Sequence, residues 1–117
     1  MSTPSRSTRQ WRAGDPWTIT DATELYEVDR WGKGYFSIGP SGHLLVHGNK
    51  DPQRSIDLKQ LTDSLQLRGI GLPILVRFPE LLKHRLADIA SAFHGAISQH
   101  NYTGKYVCVY PIKVNQQ

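Results

Sequence analysis

Gly71-Leu72-Pro73-Ile74-Leu75-Val76-Arg77 and Lys105-Tyr106-Val107-Cys108-Val109-Tyr110-Pro111-Ile112 bracket the stretch whose reading decides the fold. Both runs are apolar, rich in branched or aromatic residues, and too short for a helix, so each reads as a strand. Pro73 stands near the start of the first, where a missing amide does least harm. Between them, Leu82, Leu86, Ile89, Phe93 and Ile97 fall on one helical face while Lys83, Arg85, Asp88 and Ser91 point elsewhere. A helix is therefore expected from Glu80 to about Ser98, with Pro79 in its first turn. Strand, helix, strand makes a βαβ unit, and parallel strands so joined belong to sheets covered on both faces and built from several such units. One unit in 117 residues leaves that sheet without neighbours, so the chain is expected to be incomplete. No repeat at solenoid spacing offers stacking as an alternative.

Upstream, Asp21-Ala22-Thr23-Glu24 has capping-box spacing and predicts a short helix through about Val28. Tyr35-Phe36-Ser37-Ile38 and His43-Leu44-Leu45-Val46-His47 read as two strands joined through Gly39-Pro40-Ser41-Gly42, a β-hairpin. Gly48 to Pro52 is a polar loop. Ser55 or Asp57 can cap the next helix, in which Leu58, Leu61 and Leu65 make one apolar stripe and Gly69 marks the stop. The chain thus divides into a basic leader over 1–16, a hairpin and helix segment over 17–70, and the βαβ unit over 71–117.

A hydrophobic fraction of 38% with 9% aromatics supports a modest core and is too high for general disorder. No run approaches the roughly 18 apolar residues of a membrane span, and the N-terminus has no apolar signal-peptide region. With a single cysteine, Cys108, no intramolecular disulfide can form; a soluble, cytoplasmic protein is expected. The net charge of +4 sits largely in the leader, where Arg6, Arg9 and Arg12 precede the first acid, Asp15. That leader reads first as a solvated tail, with a targeting segment and a nucleic-acid arm as alternatives.

Chemistry is sought first at Lys113, just beyond the last strand. Strand alternation places it in a row with Val107, Val109 and Pro111, opposite Tyr106, Cys108, Tyr110 and Ile112. An amine in apolar surroundings is disfavoured as a cation, the condition for a nucleophilic lysine, although a strand-ending lysine is more often simply solvated. Cys108 is expected to be a small buried hydrophobe. His43 and His47, four apart on a strand, would be separated by roughly 13 Å, too far for one zinc ion. His84 lies between Lys83 and Arg85, a run expected on the solvated face of its helix, and His94 and His100 have no evident partners. No metal site is expected.

Tyr110-Pro111-Ile112-Lys113-Val114-Asn115-Gln116 resembles the cofactor-lysine strand of the pyridoxal-phosphate decarboxylases of the alanine-racemase-like barrel fold. Three blocks together are similar to the N-terminal part of the biosynthetic arginine decarboxylases. They are Tyr26 to Gly32 with Gly34-Tyr35-Phe36; Leu72-Pro73 through Arg77-Phe78-Pro79-Glu80-Leu81-Leu82-Lys83-His84-Arg85-Leu86; and Tyr102 to Gln116. The lysine and asparagine alone are specific only to the fold, whereas Phe78-Pro79, His84-Arg85-Leu86 and the lysine block in combination are quite specific. The leader before about Trp17 has no counterpart.

The resemblance implies an α/β chain that begins a (β/α)8 TIM-type barrel with its first βαβ unit, preceded by the hairpin and helix segment. It implies that Lys113 is both the catalytic and the cofactor-binding residue and holds pyridoxal 5'-phosphate. L-arginine is then decarboxylated to agmatine and carbon dioxide in polyamine (spermidine) biosynthesis. Asn115 would support the geometry of that site. Magnesium and homo-oligomeric assembly of the full-length enzyme come with the resemblance; a nucleic-acid or membrane partner does not. The remaining cofactor and substrate contacts of the family would lie beyond Gln117, so a chain of this length alone is expected to be inactive. Two alternatives stay open: a decarboxylase or racemase of the same fold acting on another amino acid, and a small basic nucleic-acid-binding module.

Overall fold

The computed structural model describes residues 14–111. Most of the leader lies outside that range, as do Ile112, Lys113 and Asn115.

The chain begins with α1 (Ile19–Leu25) and α2 (Val28–Gly32), continues through β1 (Phe36–Ile38), β2 (Leu44–His47) and β3 (Ser55–Asp57), and ends with α3 (Leu58–Leu67) and α4 (Pro79–Gln99). The capping box is real but starts three residues earlier than expected. Thr18 is the cap, its hydroxyl accepting from the amide of Asp21, while the Asp21 carboxylate accepts from the amide of Thr18 at 2.8 Å. Asp21 therefore serves at the third helical position, and the helix ends at Leu25 rather than Val28. After it, Glu27 takes a left-handed conformation (φ 49°) and α2 begins. The Trp31 indole donates to the carbonyl of Tyr26 at 2.9 Å, tying the two helices together.

The hairpin forms as expected. Phe36 pairs with Val46 and Ile38 with Leu44 in antiparallel register. Pro40, Ser41 and Gly42 make the loop, closed by Gly42 N–H donating to Gly39 and Gly39 N–H donating to His43. Gly42, at φ 80°, occupies the left-handed position that a three-residue hairpin loop requires. Beyond the polar loop, β3 adds to the free edge of β2, with Val46 opposite Ile56, giving an antiparallel sheet in the order β1-β2-β3. The sequence reading had no strand here, because three residues with one apolar side chain carry too little alternation.

Asp57, at the end of β3, caps α3 by accepting from the Gln60 amide at 3.0 Å. Leu58, Leu61 and Leu65 are half-buried, as a single stripe predicts. The helix stops in a Schellman turn: Gly69 (φ 81°) donates to Gln66 and Ile70 to Leu65. The buried apolar core comprises Val28, Tyr35 and Val46, between α2 and the sheet, with Asp21 and His47 also buried.

The two flanking strands of the expected βαβ unit are absent among the described residues. Neither 72–77 nor 105–111 joins a sheet. A strand is defined by its partner's hydrogen bonds, and these runs pair neither with each other nor with β1–β3. The intervening helix does form, as the 21-residue α4 with Pro79 in its first turn, but its expected apolar face is open: Leu82, Leu86, Ile89 and Phe93 are all exposed. The architecture is a small mixed α/β arrangement around an antiparallel sheet.

Candidate functional site

Lys113, the residue singled out for chemistry, lies outside the described residues, and so does Asn115. The structure does show the segment leading to it. Helix α4 closes in a second Schellman turn, with Asn101 at φ 49° donating to Ser98 and Tyr102 donating to Ile97. The chain then returns along the helix, where Tyr106 stacks on Phe93 with ring centroids 4.4 Å apart and planes 8° from parallel. The His94 ring meets the same tyrosine edge-on at 6.3 Å. A cavity of about 560 Å³ opens beside this stack, lined in part by Ile97, His100, Tyr102 and Lys105.

Tyr106 and Cys108 are expected on one side of 105–111, and the neighbouring Cys108 thiol, with burial a smaller cause, pushes the Tyr106 phenol above its ordinary value of 10. Cys108 is exposed, which corrects the buried position expected for it. Its expected burial rested on a barrel helix packing over the strand, and no such helix covers it among the described residues. Val107 and Val109, in the row opposite, are exposed as well.

The histidines each have a different setting. His43 Nδ1 lies 2.8 Å from the Asp57 carboxylate, whose acidity is raised first by the Gln60 amide and then by His43. His47 is buried, with Nε2 2.8 Å from the Ser37 hydroxyl and Nδ1 without a hydrogen-bond partner. His84 departs from the solvated face expected for Lys83-His84-Arg85: its Nδ1 is hydrogen-bonded to the hydroxyl of the buried Tyr35 at 2.7 Å. Asp88 Oδ2 is 3.6 Å from the same nitrogen and 3.6 Å from Lys50 Nζ. Tyr35 and His84 are 49 residues apart, so only the helical spacing of His84 and Asp88 hinted at a shared face.

Sequence reasoning also missed a groove of about 700 Å³ between the first two helices and the hairpin loop, lined in part by Trp17, Tyr26, Trp31, Pro40 and Leu44. Trp17 and Trp31 border it half-exposed instead of filling the core. Among the described residues no three His, Cys, Asp or Glu side chains gather as a metal cluster, and no helix is long and apolar enough to cross a membrane.

No family model matches the chain. Individual proteins do. The chain is 52% identical over 101 residues to a biosynthetic arginine decarboxylase of Rhodopirellula baltica, a match covering 86% of this chain and 15% of that protein. Proteins of the same name from Chromobacterium violaceum and Citrifermentans bemidjiense are 43% and 48% identical over 101 residues, covering 86% of this chain and 16% of each relative. The chain therefore spans about 15% of the length of the curated relatives it matches.

Proposed function

We propose that this chain is the part of an arginine decarboxylase that contributes the cofactor lysine, Lys113, and that the whole enzyme converts L-arginine to agmatine and carbon dioxide for polyamine synthesis. The observation that carries the reading is the 52% identity over 101 residues to the Rhodopirellula baltica protein of that name. The Tyr110 to Gln116 motif adds a residue-level reason, because it supplies the primary amine that pyridoxal phosphate needs for attachment.

Pyridoxal phosphate, when bound, supplies an electron sink for the pair left at the α-carbon as carbon dioxide departs; a proton then replaces the carboxylate. Lys113 would hold it through the side-chain amine. The described residues act before that point. The Schellman turn at Asn101 reverses the chain, and the Phe93–Tyr106 stack lays 105–107 against α4. Within this reading, 71–117 is the first βαβ unit of a (β/α)8 barrel whose neighbouring strands pair with 72–77 and 105–112. Magnesium, homo-oligomeric assembly and a cytoplasmic location belong to the same proposal.

The test is a chimera in which the matched 101-residue stretch of the Rhodopirellula baltica relative is replaced by the matching stretch of this chain. Carbon dioxide release from L-arginine is expected, together with a visible cofactor absorbance that Lys113→Ala abolishes. Borohydride reduction followed by peptide mapping that put the cofactor on another lysine would overturn the assignment. Release from ornithine or lysine in preference to arginine would overturn the substrate.

A further inference from the structure

Helix α4 has no extensive backbone contact with any other helix or strand of the described chain. Its attachment to the sheet is made instead by a compact set of side chains. Tyr35, at the entrance to β1 and only 5% exposed, has its hydroxyl hydrogen-bonded to His84 Nδ1 at 2.7 Å, and the two rings meet edge-to-face with centroids 5.6 Å apart. Lys50, in the loop after β2, places Nζ 4.8 Å from the centre of the Tyr35 ring and 3.6 Å from Asp88 Oδ2. One turn earlier on the helix, Glu80 lies so close to Gly48 that a Cβ there would be 3.0 Å from its own Cβ. The contacts thus come from two points of the sheet unit and reach three successive levels of α4.

The hydroxyl of Tyr35 is the decisive atom. Its ring is buried, so an unpaired hydroxyl would be costly, and His84 supplies the hydrogen-bond partner. Arg85 also reaches Asp88, at 3.3 Å, so this carboxylate is shared by Lys50 and Arg85 beside the imidazole. Such a network fixes orientation, because each member has a directional partner on the other element. Farther along the same helix, the Phe93–Tyr106 stack holds the segment that runs on toward Lys113.

We infer that Tyr35, Lys50, His84 and Asp88 form the joint that fixes α4, and with it the Tyr106 ring stacked on Phe93, on the sheet unit. Opening the joint leaves α4 tethered by its ends and frees the segment 105–111 to move with it, while the buried Val28 and Val46 contacts stay in place.

Hydrogen exchange on the full 117-residue chain tests the joint. Tyr35→Phe keeps the ring and removes the hydroxyl; it is expected to speed amide exchange over residues 82–99 about three- to tenfold, the range of a lost hydrogen bond of ordinary strength. Leu45 and Val46 amides should change by less than about twofold. His84→Leu should match Tyr35→Phe, and the double variant should exceed neither by much, since both remove one interaction. His84→Gln, whose side-chain amide can pair with the Tyr35 hydroxyl as acceptor or donor, should restore slow exchange. Unchanged α4 exchange in Tyr35→Phe would overturn the joint. So would an equal rise across β2, fully additive double-variant effects, or no rescue by Gln. None of these readouts needs decarboxylase activity, so a failed joint and a failed function are told apart.

Discussion

Val46→Ala and Leu82→Ala should have very different costs, although both residues look like core positions in the sequence. Val46 is 1% exposed, in the middle of the central strand, opposite both Phe36 and Ile56. Removing two buried carbons forfeits roughly 1.6 kcal/mol of transfer free energy, and the residual cavity raises the total to about 2–2.5 kcal/mol. Leu82 is 65% exposed on α4, so about a third of the same accounting applies to its three lost carbons, or roughly 0.8 kcal/mol. Recovered side-chain entropy and the better helix propensity of alanine offset much of this, leaving about 0.5 kcal/mol or less. Urea unfolding followed by tryptophan fluorescence and by circular dichroism measures both. With a denaturant slope near 1 kcal/mol/M, typical of a small domain, the midpoint should fall by about 2 M for Val46→Ala and by at most about 0.5 M for Leu82→Ala. Equal shifts would refute the reasoning, because they would mean that the apolar face of α4 is buried in solution.

Two further outcomes follow from the caps. Thr18→Ala removes the hydroxyl that accepts from the Asp21 amide and should destabilise the chain by about 1 kcal/mol, whereas Thr18→Ser should cost much less; urea midpoints decide it. Asp57 is held below its ordinary carboxylate value of 3.8 by the Gln60 amide and by His43, so its folded form binds a proton less readily than its unfolded form. The stability it contributes is then complete above the unfolded carboxylate range and lost as pH falls through the lowered folded value. Asp57→Asn keeps a capping side chain but does not titrate. Its stability curve should therefore be flatter than wild type below about pH 4, and an unchanged slope there would refute this role.

The parts of the fold legible in the sequence are those set by local chemistry. The hairpin follows from Gly39-Pro40-Ser41-Gly42, and the start of α3 from Asp57, because turn and cap residues act within three or four positions. The same locality explains the displaced first helix. Thr18-x-x-Asp21 and Asp21-x-x-Glu24 have identical spacing, and the earlier box formed, with Asp21 serving the Thr18 amide instead of beginning a turn of its own. The runs 72–77 and 105–111 failed as strands for the opposite reason: composition can favour extension, but only a partner completes the ladder. Of the proposed site, Lys113 is named by the resemblance of its motif alone and lies outside the described residues. The Tyr35–His84 pair was not, since nothing in a lone histidine between two cations signals a tyrosine 49 residues away.

The distribution of burial then bears on function. Val28, Tyr35 and Val46 complete a core that the described residues supply for themselves. Leu72, Leu75, Leu82, Leu86, Val107 and Val109, by contrast, are all exposed, and they belong to the same segments that carry the decarboxylase resemblance. Surface of that kind is costly to leave in water, at roughly 25 cal/mol for each Å². Buried parallel strands show such near-continuous apolar runs because helices cover both of their faces. The matched relatives devote about 85% of their length to sequence beyond the stretch shared with this chain, ample material for that covering. The proposed reaction therefore depends on packing as much as on Lys113: an amine becomes a cofactor-binding nucleophile only when its strand is paired and its surroundings are dry. The Tyr35–His84 joint is the portion of that packing which the described chain already provides.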